Sequence, residues 1–194
     1  MNKKKFRITF NAPVVLSIVI ISSLATALNY ITHGKSGMMF FSTYHSPLFS
    51  VMTWIRSVTH IFGHADWQHL IGNMTYILLL GPMLEEKYSS RTLVEITAVT
   101  AIVTSIVNYI FFPDIALCGA SGVVFAFILL ASFTGFREGE IPVTFIIVAI
   151  LFIGQEIYNG ITIQDNISNM AHIVGGIIGG ALGYGLNKKS RYER

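Results

Sequence analysis

"ALCGASGVVFAFILL", residues 116–130, sets a serine between two glycines and follows it with eight consecutive apolar side chains, Val123 to Leu130. Such a run is at home in hydrocarbon, and it raises the question of why a hydroxyl stands at its mouth. The rest of the chain has the same character. Of its 194 residues 53% are apolar and 12% charged, and the mean hydropathy is +0.62. A soluble domain carries about twice that charged fraction. Apolar runs recur from end to end, which identifies an all-α polytopic membrane protein. The single Cys excludes an internal disulfide framework, and no Cys/His spacing suits a zinc site.

A helix needs about 20 apolar residues to cross the hydrocarbon core. Six segments meet that need: 13–30, 67–84, 92–112, 117–136, 141–158 and 168–187. Breaks fall at Glu85-Glu86-Lys87 with Ser89-Ser90, at Pro113-Asp114, at Arg137 to Glu140 and at Asn159-Gly160. The spans form one domain covering 1–194, with a basic tail at 1–12 and another at 188–194. The stretch 31–66 is long, mixed and rich in His, Ser, Thr and aromatic residues, and is expected to be a structured loop in or on one membrane face. Eleven of the 13 Lys and Arg fall on one side of this six-span arrangement, leaving only Lys35 and Arg56 on the other. Both termini are therefore expected to be cytoplasmic, in a cell membrane of bacterial type. The positive net charge of +3 comes mostly from the tails, so topology explains it better than nucleic-acid binding. The first apolar run is long for the core of a signal peptide.

With that orientation the second, fourth and sixth helices all begin at the outer face, and each begins with a polar group: His69 and Asn73, Ser121, and His172. Polar side chains in a membrane interior face one another or a water-filled cavity. His69 and Asn73, four residues apart, share a helix face. His172 heads a stripe of small residues through Gly175, Gly176, Gly179, Gly180 and Gly183, which lets another backbone approach closely. Two glycine-lined faces can bring Ser121 and His172 within hydrogen-bond reach, the geometry that activates a serine nucleophile.

These residues resemble the rhomboid intramembrane serine proteases. The resemblance rests on "WIRSVTHIFGH" (54–64), "HLIGN" (69–73), "GPMLE" (81–85), "GASG" (119–122) and "AHIVGGIIGG" (171–180). It implies a six-helix bundle of the minimal bacterial type, with Ser121 as nucleophile and His172 as general base. Asn73, His69 and the Ser121 N–H would stabilise the oxyanion. Gly119, Gly122, Gly175 and Gly179 would pack the helices around the dyad. Phe125 stands where many members carry a tyrosine; its ring can still stack on His172, but the hydroxyl is missing. Arg56, His64 and Glu85 would hold loops in place, and Trp54 sits one residue further from Arg56 than the adjacent pair of the family. The implied substrates are single-span membrane proteins cut near the outer face, with no cofactor and no metal.

Other features have plainer explanations. His60, His64 and His69, with Asp66, do not share one helical face, and there is no HExxH, so a metal site is not expected. Cys118 is read as small apolar packing. Glu95 and Glu156 lie near helix ends, within reach of the interface, and Asp165 is the acid nearest His172 in sequence. The competing functions are a non-catalytic relative that binds membrane clients, and a small transporter. The first predicts loss of Ser121 or His172; the second predicts a polar site at mid-depth in duplicated halves. The sequence leaves the natural substrate and the oligomeric state open.

Overall fold

A computed structural model describes residues 9–133, 141, 143–162 and 166–192. Among the described residues eight helices follow one another: α1 (Pro13–Ile31), α2 (Lys35–Phe40), α3 (Val51–Thr59), α4 (Trp67–Tyr88), α5 (Ser90–Phe111), α6 (Ser121–Ser132), α7 (Val143–Thr162) and α8 (Asn166–Tyr192), with a 3-10 turn at His60–Phe62 after α3. Among the described residues there is no strand; Thr43 and Leu117 pair as an isolated antiparallel bridge. The chain is thus all-helical. α1 and α5 are long and apolar enough to cross a membrane. Their outer surfaces are aliphatic, with Ile20, Leu24 and Leu28 exposed on α1 and Val99, Ile102 and Ile106 on α5.

α6 forms the centre. It is apolar all round, and Gly122, Val123, Val124, Ala126, Phe127, Leu129 and Leu130 are buried. Phe127 and Leu130 join Val15, Ile77, Leu84 and Leu93 in one continuous core. Among the described residues the most extensive helix pairing is α6 with α8.

Several boundaries differ from the expectation. The segment 117–136 yields a helix of only 12 residues, because Leu117 pairs with Thr43 and Gly119 takes a φ of +120°, which delays the helix start to Ser121. The stretch 31–66 contains α2, α3 and the 3-10 turn. α4 runs past Glu85 to Tyr88, and the chain turns at Ser89 (φ 78°), whose hydroxyl accepts from the Thr92 N–H. α7 continues through Asn159 and Gly160, and α8 continues into the basic tail as far as Tyr192. Residues 1–8 of the N-terminal tail, Arg137 to Glu140 and Asp165 lie outside the described residues.

The start of α1 is fixed from a distance. Glu85, buried near the end of α4, accepts from the Val14 and Val15 N–H groups, each at 3.0 Å, and from the Ser90 hydroxyl at 2.7 Å. Pro13 occupies the first turn, where a missing N–H costs nothing. The carboxylate therefore caps a helix, rather than only the loop after α4. Glu85→Ala would leave the buried Val15 N–H and the partly buried Val14 N–H without acceptors. It is expected to cost about 3 kcal/mol, read as a lower thermal midpoint in detergent.

Candidate active site

Ser121 is the first residue of α6, half-buried, and the backbone leading to it is held on three sides. Leu117 exchanges two hydrogen bonds with Thr43, at 2.8 and 2.9 Å. The Gly119 N–H donates to the His60 carbonyl at 3.0 Å, and the Ala120 N–H donates to His64 Nε2 at 3.5 Å. Asn108 donates its amide to both the Thr43 and Ile115 carbonyls. The long loop is thus clamped onto the short non-helical segment that delivers Ser121.

On the side of α4, a Cβ built on Gly119 would lie 2.7 Å from His69 Cε1, 2.9 Å from His69 Nε2 and 3.7 Å from Asn73 Nδ2. Only glycine leaves room there, and its positive φ adds a second reason. His69 and Asn73 therefore meet at the residue two before Ser121. Asn73 is 7% exposed, and its Nδ2 has no hydrogen-bond partner. A buried amide donor left unspent is costly unless something occasionally accepts from it.

On the side of α8, the backbones nearly touch. A Cβ on Gly175 would fall 2.0 Å from the Gly122 carbonyl oxygen, and one on Gly179 would fall 2.1 Å from that of Ala126. A Cβ on Gly122 would lie 3.3 Å from the Ala171 carbonyl oxygen. The residue after Ser121 thus faces the residue before His172. One turn further along α6, the Phe125 ring tilts against the His172 imidazole, with centroids 4.3 Å apart.

The Rhomboid domain family matches residues 51–189 of this sequence, well over half of it. The chain belongs to the rhomboid family. It is 29% identical over 169 residues to the rhomboid protease GlpG of Salmonella newport, an alignment covering 83% of this chain and 60% of that protein. Rhomboid-related protein 1 of Caenorhabditis elegans is 30% identical over 138 residues, 66% of this chain and 39% of its own length. Rhomboid-like protein 11, chloroplastic, of Arabidopsis thaliana is 27% identical over 150 residues, 70% and 53% of the two lengths. The chain spans between about two fifths and three fifths of these relatives.

Elsewhere in this rhomboid domain the remaining sequence candidates find separate partners. Arg56 is buried and donates to the Tyr44 hydroxyl at 2.6 Å and to Ser46 Oγ at 2.9 Å, with its guanidinium 4.1 Å from the Tyr44 ring centre. Trp54 is exposed and donates to the Leu48 carbonyl. Cys118 lies in a small cavity of about 190 Å³ beside His64. Glu95 pairs with Arg91 on the surface; the side chain of Glu156 lies outside the described residues.

His60 is the residue that sequence reasoning undervalued. Its Nδ1 donates to the Arg56 carbonyl at 3.2 Å, and its Nε2 lies 3.3 Å from Thr104 Oγ1 on α5. The only signal available was its place one helical turn after Arg56. His64 likewise must carry its proton on Nδ1, because the Phe62 carbonyl can only accept; Nε2 is then free to accept from Ala120. Both rings work as neutral groups, and burial pushes both pKa values from 6.5 down to about 4. The unfolded chain takes up protons below about pH 6.5, whereas the folded chain resists until about 4. The stabilisation is therefore complete above 6.5 and is lost as pH falls through 4. Thermal midpoints in detergent are expected to drop over that window, and His64→Gln should flatten the slope.

Proposed function

We propose that this rhomboid-family protein is an intramembrane serine endopeptidase that uses Ser121 as nucleophile and His172 as general base. The carrying observation is the glycine-mediated contact of α6 with α8, which brings Gly122 against Ala171 while Phe125 leans on the His172 ring. In this reading His172 removes the Ser121 proton as the hydroxyl attacks a substrate carbonyl, and later returns it to the leaving amine. An acyl-enzyme forms, and water resolves it. The negative charge that develops on the carbonyl oxygen is met by the Ser121 N–H at the start of α6 and by Asn73 Nδ2, with His69 beside them. The unspent Asn73 donor suits that role.

The membrane setting follows from the same elements. At 1.5 Å per residue the 12 residues of α6 span about 18 Å, short of a hydrocarbon core of about 30 Å. With its last turn at the cytoplasmic boundary, α6 would present Ser121 below the outer surface, in a pocket open to water from that side. The protein would span a cell membrane six times, with both termini cytoplasmic. A substrate helix hydrogen-bonds its own backbone, so it must unwind locally before its carbonyl can reach Ser121. Single-span substrates with helix-weakening residues near the outer boundary are expected, and the cramped glycine-lined site favours a small residue before the cut.

The decisive test is labelling with a serine-reactive fluorophosphonate. The wild type should be modified, and Ser121→Ala and His172→Ala should not, with EDTA making no difference. Equal labelling of Ser121→Ala would refute the assignment. Absence of labelling in every form would favour a non-catalytic client-binding protein.

A further inference from the structure

Between α1 and α5 lies an apolar slot of about 340 Å³, walled by Ile18 and Ile21 on one side and by Val94 and Ala98 on the other. On α1 its lining runs from Pro13 to Ile21, about 12 Å of helix. Glu85 caps the start of α1 and bonds Ser90, so α1 and α5 begin side by side at one end of the bundle. Ile61 and Phe62 also line the slot. Gly63 and His64, next in the chain, line a cavity with Ala25 and Asn29, one and two turns further along α1. Ile61 and Phe62 therefore close the end of the slot away from Pro13. Among the described residues no ionisable side chain lines it. Of its two hydroxyls, Ser17 donates to the Pro13 carbonyl at 2.7 Å, and the Thr97 oxygen is sealed beneath the surface.

An apolar cavity of even about 150 Å³ rejects water and takes small hydrocarbons, so this slot suits a hydrocarbon ligand. Its dimensions decide which one. Volume over length gives a section of about 28 Å², or about 6 Å across. That admits an extended hydrocarbon chain and excludes a helix, which with its side chains is about 10–12 Å wide. The length of about 12 Å is close to one leaflet's share, about 15 Å, of the hydrocarbon core. α1 and α5 are long and apolar enough to cross a membrane, and Ile21 and Val94, 43% and 51% exposed, stand at the open side of the slot. Exposed Leu24 and Leu28 follow Ile21 on the same face of α1, three and seven residues on. The surface that meets lipid thus runs directly into the slot. We propose that the slot seats one acyl chain of a membrane phospholipid from the leaflet in which α1 and α5 begin, with its methyl end against Ile61 and Phe62. A chain there packs on the turn whose His60 carbonyl holds the Gly119 N–H, two residues before Ser121.

Photo-crosslinking of the full chain in liposomes tests this, using a phosphatidylcholine with a diazirine at the end of one acyl chain and mapping the adducts by mass spectrometry. Ile61 and Phe62 should be marked about threefold or more above Leu24 and Ile102, because a chain in the slot is held by contacts on several sides. Ser17→Phe places a ring in the slot. Val94→Phe does so from the exposed face of α5, and serves if the first variant folds poorly. Each should abolish the adducts at Ile61 and Phe62 and leave those on Leu24 in place. Equal marking of all four residues in the wild type, or adducts at Ile61 and Phe62 that survive both variants, would overturn the site. Marking of Ile61 and Phe62 by a diazirine beside the glycerol, and not by the chain-end probe, would overturn the seating. Marking that falls away as protein density rises would assign the slot to a second copy of the chain and overturn the lipid as occupant. The readout needs no cleavage, so it stands or falls independently of the proposed protease chemistry and can be repeated in Ser121→Ala.

Discussion

Ser121→Ala is expected to reduce cleavage of a single-span substrate by at least about 10⁴-fold, because the hydroxyl is the attacking atom in the proposed reaction. His172→Ala should lose about as much, since an alcohol without its base is a poor nucleophile. The double variant should be no worse than either single one, because groups that act as a unit fail together. Asn73→Ala should sit lower on the scale, at about 10²–10³-fold, as expected for removal of one oxyanion donor. The measurement is initial rate of cleavage in proteoliposomes, with thermal midpoints alongside. Ser121 is half-buried at a helix start, and losing its hydroxyl should leave the midpoint near that of the wild type. Substantial cleavage by Ser121→Ala would end the mechanism, whatever the family.

The second large effect is steric. Gly175→Ala would put a methyl carbon 2.0 Å from the Gly122 carbonyl oxygen and 2.7 Å from its carbonyl carbon. Both are backbone atoms at the root of α6, so no side-chain rotation can relieve the clash and the two helices must part. The cost is expected to be about 2–4 kcal/mol of stability. A shift of about 1 Å between α6 and α8 should also cost about 10²-fold in rate. Gly179→Ala meets the Ala126 carbonyl oxygen at 2.1 Å and should behave alike. Gly180→Ala is the control: its nearest neighbour would be Leu129 Cδ1 at 3.9 Å, an ordinary contact. A fully active, stable Gly175→Ala would show that the close α6–α8 approach does not govern the site.

Much of this was legible in the chain. Each of the six apolar runs overlaps one helix of the structure, because apolarity sustained over a helical length leaves the backbone few alternatives to bonding itself. Among the described residues α1 and α5 are the two long and apolar enough to cross a membrane. The i, i+4 step of His69 and Asn73 and the glycine rhythm after His172 likewise follow from helical geometry alone. What stayed hidden depends on contacts far apart in sequence. The late start of α6 is imposed by Thr43 and the histidines of the loop, 56 or more residues away. The break expected at Asn159-Gly160 did not stop α7, since turn residues weaken a helix without forbidding it.

The sequence by itself determined that the chain is helical, which stretches are apolar, and which few polar side chains stand at helix starts. These are local properties, written in the period and polarity of neighbouring residues. Only the tertiary structure decided that α6 is short, that Glu85 caps α1, and that His60 and His64 hold the segment before Ser121. Those facts turn on which surfaces meet across dozens of residues, and the absence of a Cβ at Gly122, Gly175 and Gly179 sets how closely the central pair can approach.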